Sequence, residues 1–455
     1  IYKLDLTISP STTDFNYGGD TLFYVGGTNP VATITGDSAG VFTSTAGLVI
    51  DSLTGTIDLA TSTPGNYQVT YTPPSNWQQM GQDIDGDAGD NSGHSVSMNA
   101  AGDRLAIGAP SSDFNRGHVS IYDWNGSSWV QLGQDIDGEA FQDRSGQSIS
   151  FNSTGDIVAI GANYNAPPGL PQGGVQAGHV RIYSWNGSSW VQIGQDIDGE
   201  SQVDFSGTSV SLNATGLRIA IGAPLNDANS SNTGASIGHV RIYEWNGSTW
   251  VQVGQDIDGE RSPDESGISV SLNAAGNRVA IGGHQNTENI YLAGHVRVYE
   301  WNGSSWVQEG QDIDGEAAED RSGRAVTLNS SGDILAISAS SDHNAIDAGH
   351  VRIFEWNGNQ WTQLGQDIDG EAYHDVVNGN NSISLNNDGS RIAIGALYND
   401  GNGLNAGHVR IYDWNGTAWT QIGADIDGEA AGDIFGHSVS MNAAGDRVAV
   451  GASGN

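Results

Sequence analysis

The chain has 455 residues, with 53 acidic against 16 basic side chains, a formal net charge of −37, 65 glycines, 13 tryptophans and no cysteine. Such a charge repels nucleic acid and anionic membranes and excludes both as partners, and no apolar run reaches the ~20 residues of a membrane-spanning helix. Glycine and tryptophan in this abundance fit short strands joined by tight turns, not long helices.

Residues 1–72 alternate in segments such as Val41-Phe-Thr-Ser44 and Tyr67-Gln-Val-Thr-Tyr-Thr72, with Gly and Asp turns between them. They predict a small β-sandwich. Pro73-Pro-Ser-Asn76 reads as a short, stiff linker. From residue 77 to 455 the sequence repeats. Asp-Ile-Asp-Gly recurs seven times, beginning at Asp83, Asp135, Asp196, Asp256, Asp312, Asp367 and Asp425. The period suits four strands with their turns.

One unit shows the pattern. Ile268-Ser-Val-Ser-Leu272 alternates and predicts strand A. A turn at Asn273–Gly276 leads to Arg278-Val-Ala-Ile-Gly282, strand B. After a loop of variable sequence, His295–Trp301 predicts strand C. Asn302-Gly303 signals a two-residue type I′ hairpin, and Ser305-Trp306-Val-Gln-Glu309 predicts strand D. Strands A and B recur seven times and strand C six times. Strand D recurs seven times, with its first copy, Asn76–Met80, ahead of any strand A. The expected fold is all-β: a seven-bladed β-propeller of four-stranded antiparallel blades over 77–455, preceded by the sandwich. Six blades would be complete. The seventh would be stitched from both ends of the chain, lacking strand C.

Phe435-Gly436-His-Ser-Val439 and Arg447-Val-Ala-Val-Gly-Ala452, with Gly108-Ala-Pro110 and Gly222-Ala-Pro224, resemble FG-GAP repeats, the blades of integrin-like propellers. Most units depart from that pattern by Ser-Gly in place of Phe-Gly, as at Ser92-Gly93 and Ser206-Gly207. The A–B turn Asn99–Asp103 also lacks the acidic run that binds calcium in integrin blades. Gly47–Asp58 with Pro64–Thr70 is similar to bacterial immunoglobulin-like repeats, making residues 1–72 an Ig-like domain by resemblance. Together the two resemblances imply a giant surface adhesin of gliding marine Bacteroidota, hence a secreted, extracellular, cell-surface location.

The repeated acidic strings are the first chemical candidates. Asp83, Asp85, Asp87 and Asp90 form one set; Asp135, Asp137, Glu139 and Asp143 the next; then Asp196, Asp198, Glu200 and Asp204; Asp256, Asp258, Glu260 and Asp264; and Asp312, Asp314, Glu316 and Asp320. Clustered carboxylates in a glycine-containing loop suit calcium, although the EF-hand spacing is absent. The competing reading is that each aspartate caps its own turn. The Trp-Asn-Gly-Ser-x-Trp hairpins read as packing across hairpins and between blades in preference to sugar stacking. His118, His179, His239, His295, His350 and His408 occur once per unit, and so scattered they read as hydrogen-bonding residues, not metal ligands.

In an up-and-down blade the B–C and D–A loops share one end. That end holds the acidic strings and the segments that vary between units, so it is the expected binding face. Its candidate contact residues are Asn163, Tyr164, Asn226, Asp227, Asn286, Tyr291, Asp342, His343, Tyr398 and Asp400. Near-identical repeats argue against an enzyme, which needs one asymmetric constellation. The expected function is a non-enzymatic adhesion or recognition module for a cell-surface or glycan ligand. The alternatives are a self-associating building block of a surface filament, and a secreted lectin or hydrolase.

Overall fold

The computed structural model describes residues 3–8, 14–16, 22–24, 29–35, 41–52, 54–63, 65–72, 77–166, 176–227, 235–340, 348–371, 379 and 381–455. They fall into two compact units. One comprises Ile1–Gln79 with Arg410–Asp413 and Thr420–Ile426; the other comprises Met80–Val409, Trp414–Trp419 and Asp427–Asn455.

In the first unit, Lys3–Ile8 pairs antiparallel with Leu22–Tyr24 and parallel with Gly65–Thr72, which in turn pairs antiparallel with Val41–Ser44. Asp14–Asn16 and Thr33–Thr35 form a separate two-stranded ribbon. Phe42, Leu48, Ile57, Leu59, Tyr67 and Val69 make the core. This corrects the expected Ig-like sandwich. Such a fold needs two antiparallel sheets packed face to face. Here the first and last strands pair in parallel inside one four-stranded sheet, and a two-stranded ribbon is all that accompanies it among the described residues.

The repeats fold into six sheets of five strands each. The third illustrates them: Ser209–Leu212 is strand A, Arg218–Ala223 strand B, His239–Trp245 strand C and Trp250–Gln252 strand D. Strand B lies between A and C and is buried on both faces, with Ile219 and Ala220 at 0% exposure. That burial is why its sequence is continuously apolar where strand A alternates. The fifth strand lies in the Asp-Ile-Asp-Gly string, which the sequence placed in a loop. After strand D the chain turns at Gly254, at φ +80°. It then rejoins the same edge of strand C, pairing Ile257 with Val240 and Asp258 with His239. Ile257, 3% exposed, supplies the apolar drive for this return.

The hairpin at Asn302 also differs from expectation. Trp301 pairs with Trp306, so the loop has four residues. The Asn302 side-chain oxygen accepts from the Ser304 and Ser305 amides at 2.9 and 3.0 Å. This side-chain turn replaces the two-residue type I′ geometry, and only Gly303 takes positive φ.

The expected seventh blade does not form; the propeller has six. Phe435–Met441 and Val448–Ala452 make a two-stranded sheet, and Trp77–Met80 is not a strand. With no strand C beside Val448–Ala452, a fourth strand has no edge to pair with. The two-stranded sheet nevertheless bridges the sixth blade to the first. Met441 donates its amide to Ser384 Oγ at 3.0 Å, Ser438 Oγ donates to the Gly93 carbonyl at 2.8 Å, and Met98 donates its amide to Ser440 Oγ at 2.9 Å. Neighbouring blades use the same bonds, as in Ser209 Oγ to the Gly267 carbonyl at 2.8 Å and Leu272 amide to Ser211 Oγ at 2.9 Å. The ring of strands A is therefore closed.

Blades approach so closely that the glycine late in strand B has no room for a side chain. A Cβ on Gly222 would lie 2.0 Å from the Gly267 carbonyl of the next blade, backbone that cannot swing aside. Gly222→Ala is expected to lower the unfolding free energy by about 1–3 kcal/mol through overpacking, read from the midpoint of urea denaturation. An unchanged midpoint would show that the blades part freely there.

Candidate functional site

The acidic strings and the B–C loops do meet at one end of the blades. The amide of Glu265, just before strand A of the fourth blade, donates to the Ser236 carbonyl in the preceding B–C loop, and Arg321 donates likewise to Leu292. The four carboxylates of each string take separate tasks. The first aspartate accepts from the glutamine four residues earlier, as Asp196 does from Gln192 at 2.6 Å. The backbone carbonyl of the second accepts from the arginine of strand C in the next blade: Asp137 from Arg181 at 2.7 Å, Asp198 from Arg241 at 2.8 Å and Asp258 from Arg297 at 2.7 Å. The glutamate faces that same arginine, Glu200 at 3.3 Å and Glu316 at 3.4 Å from Arg241 and Arg352. The last aspartate is buried and caps its own turn, as Asp143 does for the Ala140 amide and Asp320 for the Ala317 amide, each at 2.7 Å. Burial pushes the Asp143, Asp204 and Asp264 carboxyls above their usual range, against the pull of these turn amides.

The first blade departs from this scheme. Ser120 stands where other strands C carry arginine, and a cavity of about 220 Å³ opens there, bordered by Asp85, Asp87, Asp90, His118 and Asp135. Asp85, Asp87 and Asp90 of the first string thus share one space with Asp135 of the second.

The histidines that open strand C are not the isolated residues their spacing implies. The ring brings His179 and His239 each to carboxylates from two blades. Glu139, His179 and Asp196 present ligand-capable atoms within 4.8 Å of one another, and Glu200, His239 and Asp256 do the same. Burial first, then the neighbouring arginine, holds the His179, His239 and His295 imidazoles down to about 4, with Asp196, Asp256 and Asp312 pulling the other way.

Several of the candidate contact residues serve the loops themselves. Asn163, Asn226 and Asn286 are buried. Asn163 reaches Thr208 Oγ1 at 3.2 Å and Asn286 donates to Asp264 at 2.9 Å. Asp227 accepts from the Ala235 amide and Asp400 from the Asn405 amide, each at 2.7 Å. Tyr164 packs on Phe205 with Arg144 over its ring at 4.0 Å. Tyr291 and Tyr398 are exposed, at 63% and 38%. Asp342 and His343 lie outside the described residues.

The repeat position one residue ahead of Ser95, Ser148, Ser209 and Ser269, where the chain enters strand A, was not among the expected contacts. Around the ring this position holds His94, Gln147, Thr208, Ile268, Arg324, Asn381 and His437. Gln147 Nε2 contacts His94 Nε2 at 2.8 Å, the His94 and His437 rings are 4.6 Å apart, and Arg324 contacts His284 Nε2 at 3.2 Å. The residue three before this position has little freedom either: Arg144, Phe205, Glu265, Arg321 and Ile434 all hold positive φ, between 51° and 57°. Left-handed backbone at such side chains is strained, and strain of this kind concentrates at functional sites. The available signal was one hypervariable column in an otherwise uniform repeat.

A closed ring of radial sheets around a central channel defines the architecture. The fold is a β-propeller. No family profile matches the sequence, and no curated protein is similar to it in sequence. Among solved structures, the chain is similar to hydrazine synthase from Kuenenia stuttgartiensis, at 12% identity and a TM-score of 0.52, over 82% of this chain and 98% of that one. It is also similar to a protein from Bacteroides uniformis described as a "putative 6-phosphogluconolactonase", at 11% identity and a TM-score of 0.50, over 79% of this chain and 88% of that one. Both descriptions name enzymes; at these identities the likeness shows the fold alone.

Proposed function

We propose that this propeller is a non-enzymatic recognition module of an extracellular, cell-surface protein, of the FG-GAP adhesin type, binding a surface glycan or protein through its loop face. The observation that carries this reading is where the repeats differ. Residues shared by most blades are spent on blade-to-blade bonds, such as the strand-A serines and, from the second blade on, the strand-C arginines. The column before strand A and the B–C loops differ, and they share one end. A rigid scaffold with variation confined to one end is the arrangement of a binding surface.

The test uses the labelled full chain on a glycan array and on intact bacterial cells. Tyr291→Ser with Tyr398→Ser is expected to lower bound signal at least tenfold without moving the melting midpoint; Arg324→Gln should lower it as far, with some fall in the midpoint because Arg324 also bonds His284. Binding that survives all three substitutions would exclude this face.

Self-association is the second reading. It is favoured by the two-stranded sheet, in which Val448–Ala452 pairs on one side only among the described residues. An unpaired edge of this kind recruits strands from other chains. Light scattering that shows a monomer at all concentrations would remove it.

A further inference from the structure

We infer that the junction of the third and fourth blades is a binding site for a divalent first-row transition-metal ion, of the manganese or zinc type, held by His295, Glu260, Asp312 and Glu288. Four different segments supply these groups. Glu260 follows the third blade's Asp-Ile-Asp-Gly string, Glu288 comes from the fourth blade's B–C loop, His295 opens that blade's strand C, and Asp312 begins its own string.

Glu260 joins two sets of ligand-capable atoms. With Asp264 and His295 it forms one set within 4.8 Å, and with Glu288 and Asp312 it forms another of the same span. His295 is 1% exposed, and its Nδ1 has no hydrogen-bond partner. That nitrogen points at Asp312, 4.0 Å from Oδ2. A buried imidazole nitrogen left unpaired loses hydration without compensation. A metal ion between it and the carboxylates would satisfy it.

Charge argues the same way. Among the described residues, the guanidiniums that pair with Asp258, Glu260, Asp264, Glu288 and Asp312 are those of Arg297 and Arg261. Arg297 is engaged by the Asp258 carbonyl and lies 3.8 Å from Glu260, and Arg261 pairs with Glu288. Glu260, Glu288 and Asp312 bring carboxylate oxygens within 4.8 Å of one another, where like charges repel. A dication would relieve that repulsion. The neutral imidazole selects the class of ion, because a nitrogen donor among carboxylates suits manganese or zinc, whereas calcium takes oxygen ligands. Asp264 is already committed to the Glu260 and Arg261 amides and to Asn286, and so anchors the loop that carries Glu260.

Among the described residues, no set at the related junctions includes a B–C loop carboxylate. At the second blade no B–C loop carboxylate joins Glu139, His179 and Asp196. This makes the fourth-blade junction the strongest of the series.

The full chain, stripped with chelator, is titrated with Mn²⁺, Zn²⁺ and Ca²⁺ by calorimetry, and the Mn²⁺ form is examined by pulsed EPR. Mn²⁺ or Zn²⁺ is expected to bind saturably and raise the melting midpoint, with nitrogen coupling on Mn²⁺. Glu260→Gln and the exposed-loop variant Glu288→Gln should each weaken binding at least tenfold, or remove one equivalent, while Glu139→Gln leaves this site filled. His295→Gln should abolish the nitrogen coupling. No saturable uptake, or binding unchanged in Glu260→Gln and Glu288→Gln, overturns the assignment. So does a preference for Ca²⁺ that survives His295→Gln.

Discussion

Between pH 6.5 and about 4 the protein is expected to lose stability steeply, and the buried histidines His94, His284 and His437 are the reason. His284 Nε2 takes a hydrogen bond from Arg324, and His94 Nε2 takes one from Gln147. An imidazole can accept at that nitrogen only while it is unprotonated there. Burial, reinforced by Arg324 beside His284 and by His437 and Arg144 beside His94, lowers both to about 3 from an ordinary 6.5. His437 is lowered as well, by burial and then by Arg324.

The unfolded chain takes up these protons near pH 6.5, while the folded chain refuses them until far lower. The unfolded state therefore binds more protons throughout the interval, and stability falls as the pH falls. Each fully buried histidine contributes about 1.4 kcal/mol per pH unit across that window. His284, 2% exposed, is nearest that limit; His94, half-buried, contributes less. Buried carboxyls act in the opposite sense. Asp143, Asp204 and Asp264 have raised folded values, so protonation favours the fold as the pH drops through the carboxylate range. They flatten the decline at its acid end. Melting midpoints from pH 7.5 to 4 test this. His284→Gln keeps an acceptor for Arg324 without a titration and should shallow the slope. A wild-type midpoint that is flat from pH 7 to 5 would refute the account.

Trp250→Ala is expected to cost about 3–5 kcal/mol, the range for deleting a buried tryptophan. Trp250 is 3% exposed, and it packs on Trp245 with ring centroids 5.5 Å apart. Its indole N–H donates to the Ile193 carbonyl of the preceding blade at 2.9 Å. Gly194 rests against both rings, where a Cβ would meet Trp245 at 2.6 Å. The substitution thus opens a cavity inside one blade and strands a carbonyl belonging to another. Trp250→Phe retains the ring but not the donor, so it should recover roughly half of the loss. Denaturant midpoints for both variants measure this. A Trp250→Ala midpoint within error of wild type would show that the tryptophan pair is decoration.

Among the repeats, amino-acid order was enough to place strands A to D, because each task is local. Alternation marks strand A, the apolar run marks strand B, and paired tryptophans flank the turn to strand D. It also located the loop face, since strand order alone decides which connections share an end. It did not reach the fifth strand, because Ile257 returns to strand C only once the next blade's Trp301 and Trp306 close over Gly254. The blade count failed for a related reason. Counting strings yields seven, but a sheet needs an edge to grow on, and the last one has no strand C.

The candidate site divides the same way. Each carboxylate in a string was legible, but its partner was not, since Arg241 lies 43 residues from Asp198 in sequence and reaches it across a blade boundary. The histidines looked solitary because their carboxylates arrive from two blades. Secondary structure and the end that carries the variable loops follow from neighbours in the chain; which charges meet, and whether His295 faces a carboxylate or water, follows only from the radial packing that sets one blade against the next.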